Sequence, residues 1–238
     1  MLKKLYLFFL FLAFYSQPVL GQKNSLALAK ADSLFEAKAY QQAYPLYRQV
    51  LRQEQLVSTR LLLRMAYIQE GLDHYPAALY YLSLAQAHQP RAATWRKMAE
   101  LAQNYRLTGY TNTWQQQLLI TIRRYYYRIL QALLVGAVIG GTLLLVRHRQ
   151  TGASWWAVYA AYLGLTVIYL NTFGPEKVGI VSKSAAALMG APSPGAAWLT
   201  TAAAGDRLVV VGQRDIWYEV QWRGQSAYIR RHDLMLVQ

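Results

Sequence analysis

The chain has 238 residues, of which 55% are hydrophobic and only 15% are charged, and its net charge is +14. This composition excludes an intrinsically disordered protein and carries fewer charges than an average soluble one. The lack of cysteine excludes disulfides, thiolate metal sites, cysteine nucleophiles and a lipid-modified cysteine at a cleavage site. The length is sufficient for more than one domain.

The distribution of positive charge argues against a nucleic-acid-binding protein. Residues 22–128 carry 14 Lys and Arg against 6 Asp and Glu, and residues 174–238 carry 7 against 5. The remaining four cations flank apolar segments and are Lys3, Lys4, Arg147 and Arg149. Because no block of five like charges and no nucleic-acid-binding motif occurs, we predict no nucleic-acid partner.

The first apolar segment has the features of a secretory signal peptide. Two lysines form a positive region, residues 5–15 form a short apolar run, and residues 19–21 offer small residues for cleavage. We therefore predict residues 1–21 as the signal peptide. An uncleaved membrane anchor is the alternative. Either one directs the following region, residues 22–122, out of the cytoplasm.

Residues 22–122 lack the alternation of strands and contain an internal repeat. The segments 37–51 and 72–90 align at an offset of 35 residues. The equivalent positions hold Tyr40 and Tyr75, Ala43 and Ala78, Tyr47 and Leu82, and Val50 and Ala85. Each repeat is predicted to be two short antiparallel helices joined by a turn.

This spacing resembles that of tetratricopeptide repeats, whose period is roughly 34 residues. The family's small, aromatic, large and proline positions are occupied by Ala66, Tyr75, Ala78, Leu82, Ala85 and Pro90. Gln69 and Asp73 depart from the aromatic residue and the glycine that are usual in the family. A third, degenerate unit is predicted to begin near Thr94, since about three units are needed to bury a continuous core.

The resemblance implies a helical scaffold that binds a protein partner along its concave face. In this register Arg60, Tyr67, Tyr105 and Arg106 line that face. Two arginines and two tyrosines suit an acidic or C-terminal peptide, because both side chains donate hydrogen bonds to carboxylates. The alternative is that they are ordinary surface residues whose apolar stems lie along the protein.

Two further apolar segments predict a membrane hairpin. Residues 129–146 span about 27 Å as a helix, close to a hydrocarbon core of roughly 30 Å. Residues 155–173 carry no charge, and aromatic residues of the kind found at membrane interfaces lie near their ends. Burial of both helices in a soluble core is the alternative, but their close spacing favours two transmembrane helices with a short cytoplasmic loop at 147–154.

The orientation of this hairpin is predicted from the signal peptide. It leaves the loop in the cytoplasm, where its two arginines satisfy the positive-inside rule. Arg123, Arg124 and Arg128 precede the first span on the external side, and a count of arginines alone favours the inverted orientation. We give the signal peptide precedence, because long domains are translocated largely regardless of their charge.

Small residues recur at a spacing of four within both spans. Gly136 and Gly140 form one such pair, and Ala160 and Gly164 form the other. Side chains this small allow helix backbones to approach closely. We predict that the two helices pack on each other; homodimerisation through this face is the alternative.

Residues 175–238 alternate apolar and polar residues between turns, which predicts a small soluble β-domain. The pattern resembles that of bacterial SH3-like (SH3b) domains. The matching residues are Gly205-Asp206, Leu208–Val211, Trp217-Tyr218-Glu219-Val220, Gly224, Tyr228-Ile229 and Leu234. Ala227 and Met189 depart from the glycine and the arginine that are common in the family. The resemblance implies a small β-barrel outside the cytoplasm, and in some members the binding of cell-wall peptides.

Three aromatic residues are candidates for a ligand groove on this domain: Trp217, Tyr218 and Tyr228. The alternative is that at least one of them belongs to the core, Trp217 above all. No motif for catalysis is recognisable, and no two of the four histidines have metal-ligand spacing. We therefore predict a protein that is not an enzyme and that uses no cofactor and no metal.

The order of signal peptide, repeats, hairpin and SH3-like domain resembles that of BatE-type aerotolerance proteins, which are encoded beside membrane-bound von Willebrand A-type partners. The predicted fold class is a multidomain α + β membrane protein. Its parts are an α-helical tetratricopeptide-like solenoid, a two-helix transmembrane hairpin and a small C-terminal SH3-like β-barrel.

The resemblance implies a scaffold in the bacterial inner (cytoplasmic) membrane, with both soluble domains facing the periplasm. Its expected partners are envelope or membrane proteins such as the von Willebrand A-type ones, besides the lipid bilayer itself. Its expected role is in envelope integrity or oxidative stress. The alternative is a cell-wall receptor that binds peptidoglycan peptides through the SH3-like domain.

Overall fold

The described part of the chain combines α-helices with a β-sheet. The computed structural model describes residues 26–53, 57–111, 113–147, 152–172, 174 and 176–237. The predicted signal peptide lies outside the described residues. The mixture of helices, apolar helices and sheet confirms the α + β composition predicted from the sequence.

Within the described residues, eight α-helices precede the strands. They are α1 Leu26–Glu36, α2 Tyr40–Gln53, α3 Thr59–Gly71, α4 Tyr75–His88, α5 Ala92–Asn104, α6 Trp114–Arg124, α7 Tyr126–Val146 and α8 Ala153–Thr172.

Seven β-strands and a 3₁₀ turn complete the described chain. They are β1 Val178–Val181, β2 Ala186–Met189, β3 Trp198–Ala202, β4 Arg207–Arg214, β5 Trp217–Trp222, β6 Gln225–Arg230, the 3₁₀ turn Arg231–Asp233 and β7 Leu234–Val237.

The chain divides into two compact units, residues 1–55 and residues 56–238. In the first unit, α1 packs on α2 through fully buried residues such as Ala43 and Tyr47. The Tyr47 hydroxyl donates a hydrogen bond of 2.7 Å to Asp32 Oδ1. A buried tyrosine needs such a partner, because an unsatisfied hydroxyl in an apolar environment costs free energy.

In the second unit, the helices begin with α3 and α4, which pack against each other. The N–H of Leu61 donates to Ser58 Oγ at 3.2 Å, which satisfies one of the free donors at the start of α3. Leu62, Met65 and Leu79 are fully buried between the helices. The next helix, α5, packs on α4 and buries Trp95 and Met98.

The same turn follows α1, α3 and α5. Its central residue has a positive φ, which is 61° at Lys38, 59° at Asp73 and 54° at Arg106. A left-handed residue at this position lets the following backbone N–H bond to the carbonyls that end a helix. These bonds measure 2.8 or 2.9 Å and join Ala39 to Leu34, His74 to Gln69 and Leu107 to Ala102. The described chain therefore contains three related helix–turn units.

The third unit differs from the other two after this turn. The helices α2 and α4 begin two residues after the positive-φ residue, whereas α6 begins only at Trp114. The residues in between, which we call the docking segment (107–110), contact the sheet instead. The sequence pattern therefore locates the third unit but not the insertion within it.

The strands form one antiparallel sheet in the order β3-β2-β6-β5-β4-β1-β7. Residues from all seven strands contribute to a single apolar core, so the sheet must curl around it. Among the described residues β3 and β7 remain the two edges, and the hydrogen-bonded ladder is open instead of closing as the predicted barrel. The predicted hairpin turn is present at Arg223 and Gly224, whose φ values of 48° and 80° suit a two-residue turn.

The two apolar helices, α7 and α8, lie side by side and run antiparallel. The Tyr162 hydroxyl donates to the carbonyl of Leu133 at 2.6 Å, and that of Tyr159 donates to the carbonyl of Ala137 at 2.8 Å. No residue of α7 is buried, and Thr166 is the one buried residue of α8. Both helices are long and apolar enough to span a membrane. Their exposure contradicts the alternative that they form the core of a soluble domain.

The two pairs of small residues differ in what they contact. A Cβ atom added at Gly136 would lie 2.6 Å from the hydroxyl of Tyr162, and one added at Gly140 would lie 3.4 Å from the Tyr159 ring. The predicted packing of the two helices therefore occurs at the first pair. Gly164, by contrast, has no neighbour within 4 Å of such an atom, so the second pair lies outside this contact.

Candidate functional site

Two of the predicted partner-binding residues share one face of α3. Arg60 and Tyr67 are separated by seven residues, or about two helical turns. Both side chains are exposed, Tyr67 to 55%. An arginine and a tyrosine on one exposed helix face can present hydrogen-bond donors to an acidic segment of another protein.

The other two predicted residues, Tyr105 and Arg106, lie in the turn that follows α5 and not on a helix. The Tyr105 hydroxyl donates to Asp73 Oδ1, and its ring stacks on that of Tyr75 with centroids 4.0 Å apart. The hydrogen bond to Asp73 is the main reason that the pKa of Tyr105 is raised. Tyr105 thus joins the turns of two successive units, and its hydroxyl is already engaged by a carboxylate.

The three aromatic residues predicted on the β-domain are buried. Trp217 is 4% exposed and forms a small cluster with Met189 and Tyr228. Tyr218 points to the opposite face of β5 and belongs to the main core. The burial of Trp217 agrees with the alternative that it is a core residue.

A cavity of about 330 Å³ lies beside Trp217. Lys183, Arg230, His232 and Asp233 contribute its polar lining. The Arg230 guanidinium lies over the Trp217 ring, 5.5 Å from its centroid. A groove on this domain would therefore present cations at its surface, with the edge of a buried indole behind them.

The contact between the docking segment and the turn before β4 is absent from the sequence-based prediction. The N–H of Thr108 donates to Asp206 Oδ1 at 2.7 Å, and its carbonyl accepts from the N–H of Arg207 at 3.1 Å. The Tyr110 hydroxyl donates to the carbonyl of Gly205 at 2.7 Å. These bonds fix the helical units against the sheet.

Burial makes these bonds at the junction energetically important. Asp206 is 3% exposed, and its second oxygen accepts from the N–H of Ala203 at 2.8 Å. Burial raises the pKa of the Tyr110 hydroxyl well above its usual range. A buried polar group that loses its partner costs about 1–3 kcal/mol, so each of these bonds opposes separation of the two parts.

Two arginines extend the junction towards the apolar helices. The Arg207 guanidinium lies over the ring of Trp95, 5.2 Å from its centroid. Arg123, at the end of α6, forms an ion pair of 2.7 Å with Glu176, just before β1. The helices α4 and α6 and the strand β1 thus meet where the apolar hairpin begins and ends.

No local sequence signal identifies this junction, because its partners are 95 or more residues apart. The one available hint is Gly205-Asp206, which was recognised as a turn of the β-domain. A buried aspartate after such a glycine indicates a backbone donor nearby, but not which segment supplies it.

Within the described residues, no group of three or more His, Asp or Glu side chains is placed to hold a metal ion. No protein-family model matches the chain, and no curated protein matches it significantly. The function is therefore argued from the geometry of the helical units, the hairpin and the sheet.

Proposed function

We propose that the chain is a membrane-anchored scaffold that binds envelope or membrane proteins through its helical units. The observation that carries this proposal is the junction between the docking segment and the sheet. The chain leaves the helical units into α7 and returns from α8 into the sheet, and the two ends of this excursion are joined by Arg123 and Glu176.

The helical units support a tetratricopeptide-like scaffold. Their turns recur 35 and 33 residues apart, close to the family's period of roughly 34 residues. The positive φ of Asp73 explains why this position in the family is usually glycine. Repeats of this type are binding scaffolds, and the exposed pair of Arg60 and Tyr67 is our proposed contact for an acidic partner segment.

The hairpin supports membrane anchoring. Two antiparallel apolar helices of 21 and 20 residues suit a bilayer, and a hairpin returns the chain to the side from which it entered. The junction requires the helical units and the sheet to share one compartment, which fits this path. With a cleaved signal peptide, that compartment is the periplasm.

The β-domain supports an SH3-like assignment through its strand pattern and its two-residue hairpin turn. Together with the helical units, it fits the BatE-type aerotolerance proteins inferred from domain order. We propose partners of the von Willebrand A-type class on that basis. The protein acts by binding and not by catalysis.

Protease accessibility tests the membrane placement. Epitope tags inserted after Gln22 and after the last residue should both be digested when protease is added to intact spheroplasts. Protection of both tags would invert the orientation. Protection of only one tag, while an external control protein is cut, would contradict the hairpin.

Affinity capture tests the scaffold. The full-length tagged protein in mild detergent should recover an envelope protein, and Arg60→Ala with Tyr67→Ala should reduce the recovery at least tenfold, by about 1.4 kcal/mol or more. Arg214→Ala, on the exposed end of β4, is the matched control and should have no effect. Equal recovery by all variants would exclude this face.

The cavity beside Trp217 favours a second function, the binding of peptidoglycan peptides. Their carboxylates suit Lys183 and Arg230, which line that cavity. The full-length protein should then sediment with purified cell wall, and Arg230→Ala should release it while Arg214→Ala does not. If the wild-type protein stays in solution, the receptor function is excluded and the scaffold is unaffected.

A further inference from the structure

A second cavity lies where the junction meets the base of the apolar hairpin. Its volume is about 240 Å³. The end of α6, the first residues of α7 and the residues just before β1 form one side of it, and α4, α5 and β4 form the other. If α7 and α8 span a bilayer, this cavity lies at the level of the lipid head groups.

The cavity has an excess of positive charge. Arg123, Arg124 and Arg207 line it, whereas Glu176 is its one carboxylate among the described residues. Arg123 forms an ion pair with Glu176, and no described carboxylate lies within 4.0 Å of Arg207. Burial lowers the pKa of Arg207, and repulsion by Arg123 contributes in the same direction. Two guanidinium groups therefore share a partly desolvated space with a single negative charge.

Two buried polar atoms on the cavity wall have no hydrogen-bond partner in the described chain. They are Ser83 Oγ and Arg123 Nε. Ser83 is 5% exposed, in the middle of α4. A buried donor without an acceptor is costly, and both groups line the same cavity. One oxygen-rich group in the cavity would satisfy both of them.

From this arrangement we infer that the cavity is a binding site for a phosphate group, supplied by an anionic lipid head group or by free phosphate. Phosphate has the charge that Arg207 lacks and acceptor oxygens for guanidinium and hydroxyl donors. Tyr126 and Tyr127 line the opening, in the place where aromatic residues meet the membrane interface. The volume is below the 300 Å³ or so of a typical site for a larger ligand, which agrees with a small occupant.

This inference rests on the proposed membrane insertion only for the lipid source of the phosphate. The test therefore uses the full-length protein in detergent micelles. Native mass spectrometry would count bound phosphatidylglycerol, with phosphatidylcholine in a parallel titration. Thermal unfolding with inorganic phosphate, against chloride at equal ionic strength, would measure binding of the free anion.

Three variants distinguish a built site from general attraction to charge. Arg123→Gln with Arg207→Gln should weaken binding at least tenfold, because charge-assisted hydrogen bonds are lost. Ser83→Ala should weaken it about fivefold without lowering the unfolding temperature of the unbound protein, since the hydroxyl has no partner there to lose. Arg128→Gln removes the same charge one helical turn beyond Arg124, outside the cavity lining, and should leave binding unchanged.

Retention of phosphatidylglycerol with no effect of free phosphate would assign the lipid as the source, and stabilisation by phosphate alone would assign the soluble anion. If neither binds, or if Arg128→Gln weakens binding as much as the double variant, the inference is wrong. These outcomes are separate from the fate of the scaffold, because a protein with correct topology and partners can still fail to bind phosphate.

Discussion

Gly205 lies at the point where the sheet meets the helical units. Its φ is 92°, a conformation that side chains with a Cβ atom disfavour. An added Cβ atom would lie 2.7 Å from Leu107 Cδ1 and 3.3 Å from atoms of Leu79 and Tyr75. The lack of a side chain here allows both the turn and the close approach of the helices.

Gly205→Ala should therefore destabilise the protein more than Gly224→Ala. Both glycines have a positive φ, but an added Cβ atom at Gly224 meets nothing within 4 Å. Each variant should lose about 1–2 kcal/mol from backbone strain, and the first should lose about 1–3 kcal/mol more from overpacking. Equal denaturation midpoints for the two variants would contradict the close contact.

Tyr110 makes the stability of the junction depend on pH. Burial holds its hydroxyl neutral in the folded protein, while in the unfolded chain it ionises around pH 10. Because the folded-state pKa is raised, its contribution is complete below pH 10 and is lost as the pH rises above that value.

Tyr110→Phe should cost about 1–3 kcal/mol at neutral pH, because the carbonyl of Gly205 loses its donor. Above pH 10, the stability of the wild type should fall more steeply than that of the variant, by about 1.4 kcal/mol per pH unit for one proton. The chain has 19 tyrosines, so the difference between the two titrations is the informative measurement. Parallel curves would contradict the burial of this hydroxyl.

At the scale of elements, the apolar hairpin is held by tyrosines lying over glycines. The Tyr162 hydroxyl passes close to Gly136 to reach the carbonyl of Leu133. Without a neighbouring side chain, the ring can approach the backbone of α7 and satisfy its own hydroxyl in an apolar environment.

Gly136→Val should displace Tyr162 from this bond and destabilise the hairpin by about 1–3 kcal/mol. Gly164→Val adds the same side chain at a position with no neighbour within 4 Å and serves as the control. The measurement is the denaturation midpoint of each protein in mixed micelles. A loss of stability in the Gly164 variant alone would place the contact on the other small pair.

The helices and most strands could be predicted from local patterns, since their apolar periodicity reflects the burial they have in the structure. The two apolar helices begin two or three residues earlier than predicted, at Tyr126 and Ala153, because polar and aromatic residues extend the first turn of each. Trp217 could be assigned to a strand but not to the core or the surface, because β5 is covered on both faces and alternation then gives no preference.

The docking segment could not be predicted, for a different physical reason. Its residues have no periodicity, and their partners belong to a turn nearly 100 residues away. The third helix–turn unit was recognised only as degenerate, since the chain leaves the repeat pattern after Arg106 to reach the sheet. The candidate binding face suffers from the same insertion, which places Tyr105 in a turn instead of on a helix.

At the scale of the whole molecule, Asp206 connects the docking segment to the β-domain. Asp206→Asn replaces an acceptor by a donor opposite a backbone N–H and should cost about 1–3 kcal/mol. Asp215→Asn makes the same chemical change at an exposed turn and should be nearly neutral. Hydrogen exchange should increase together in residues 107–110 and 203–207 of the first variant. An increase confined to the sheet would show that the two parts are not coupled.

The detour after Arg106 also limits how this protein can lengthen. Arrays of paired helices grow by adding pairs at a free end, and they need a terminal element that shields the last apolar surface. Here the sheet occupies that end and serves as the terminal element, held by Asp206 and Tyr110. A duplicated pair inserted after α5 would displace the sheet from its seat, so any enlargement of the array has to occur ahead of α3.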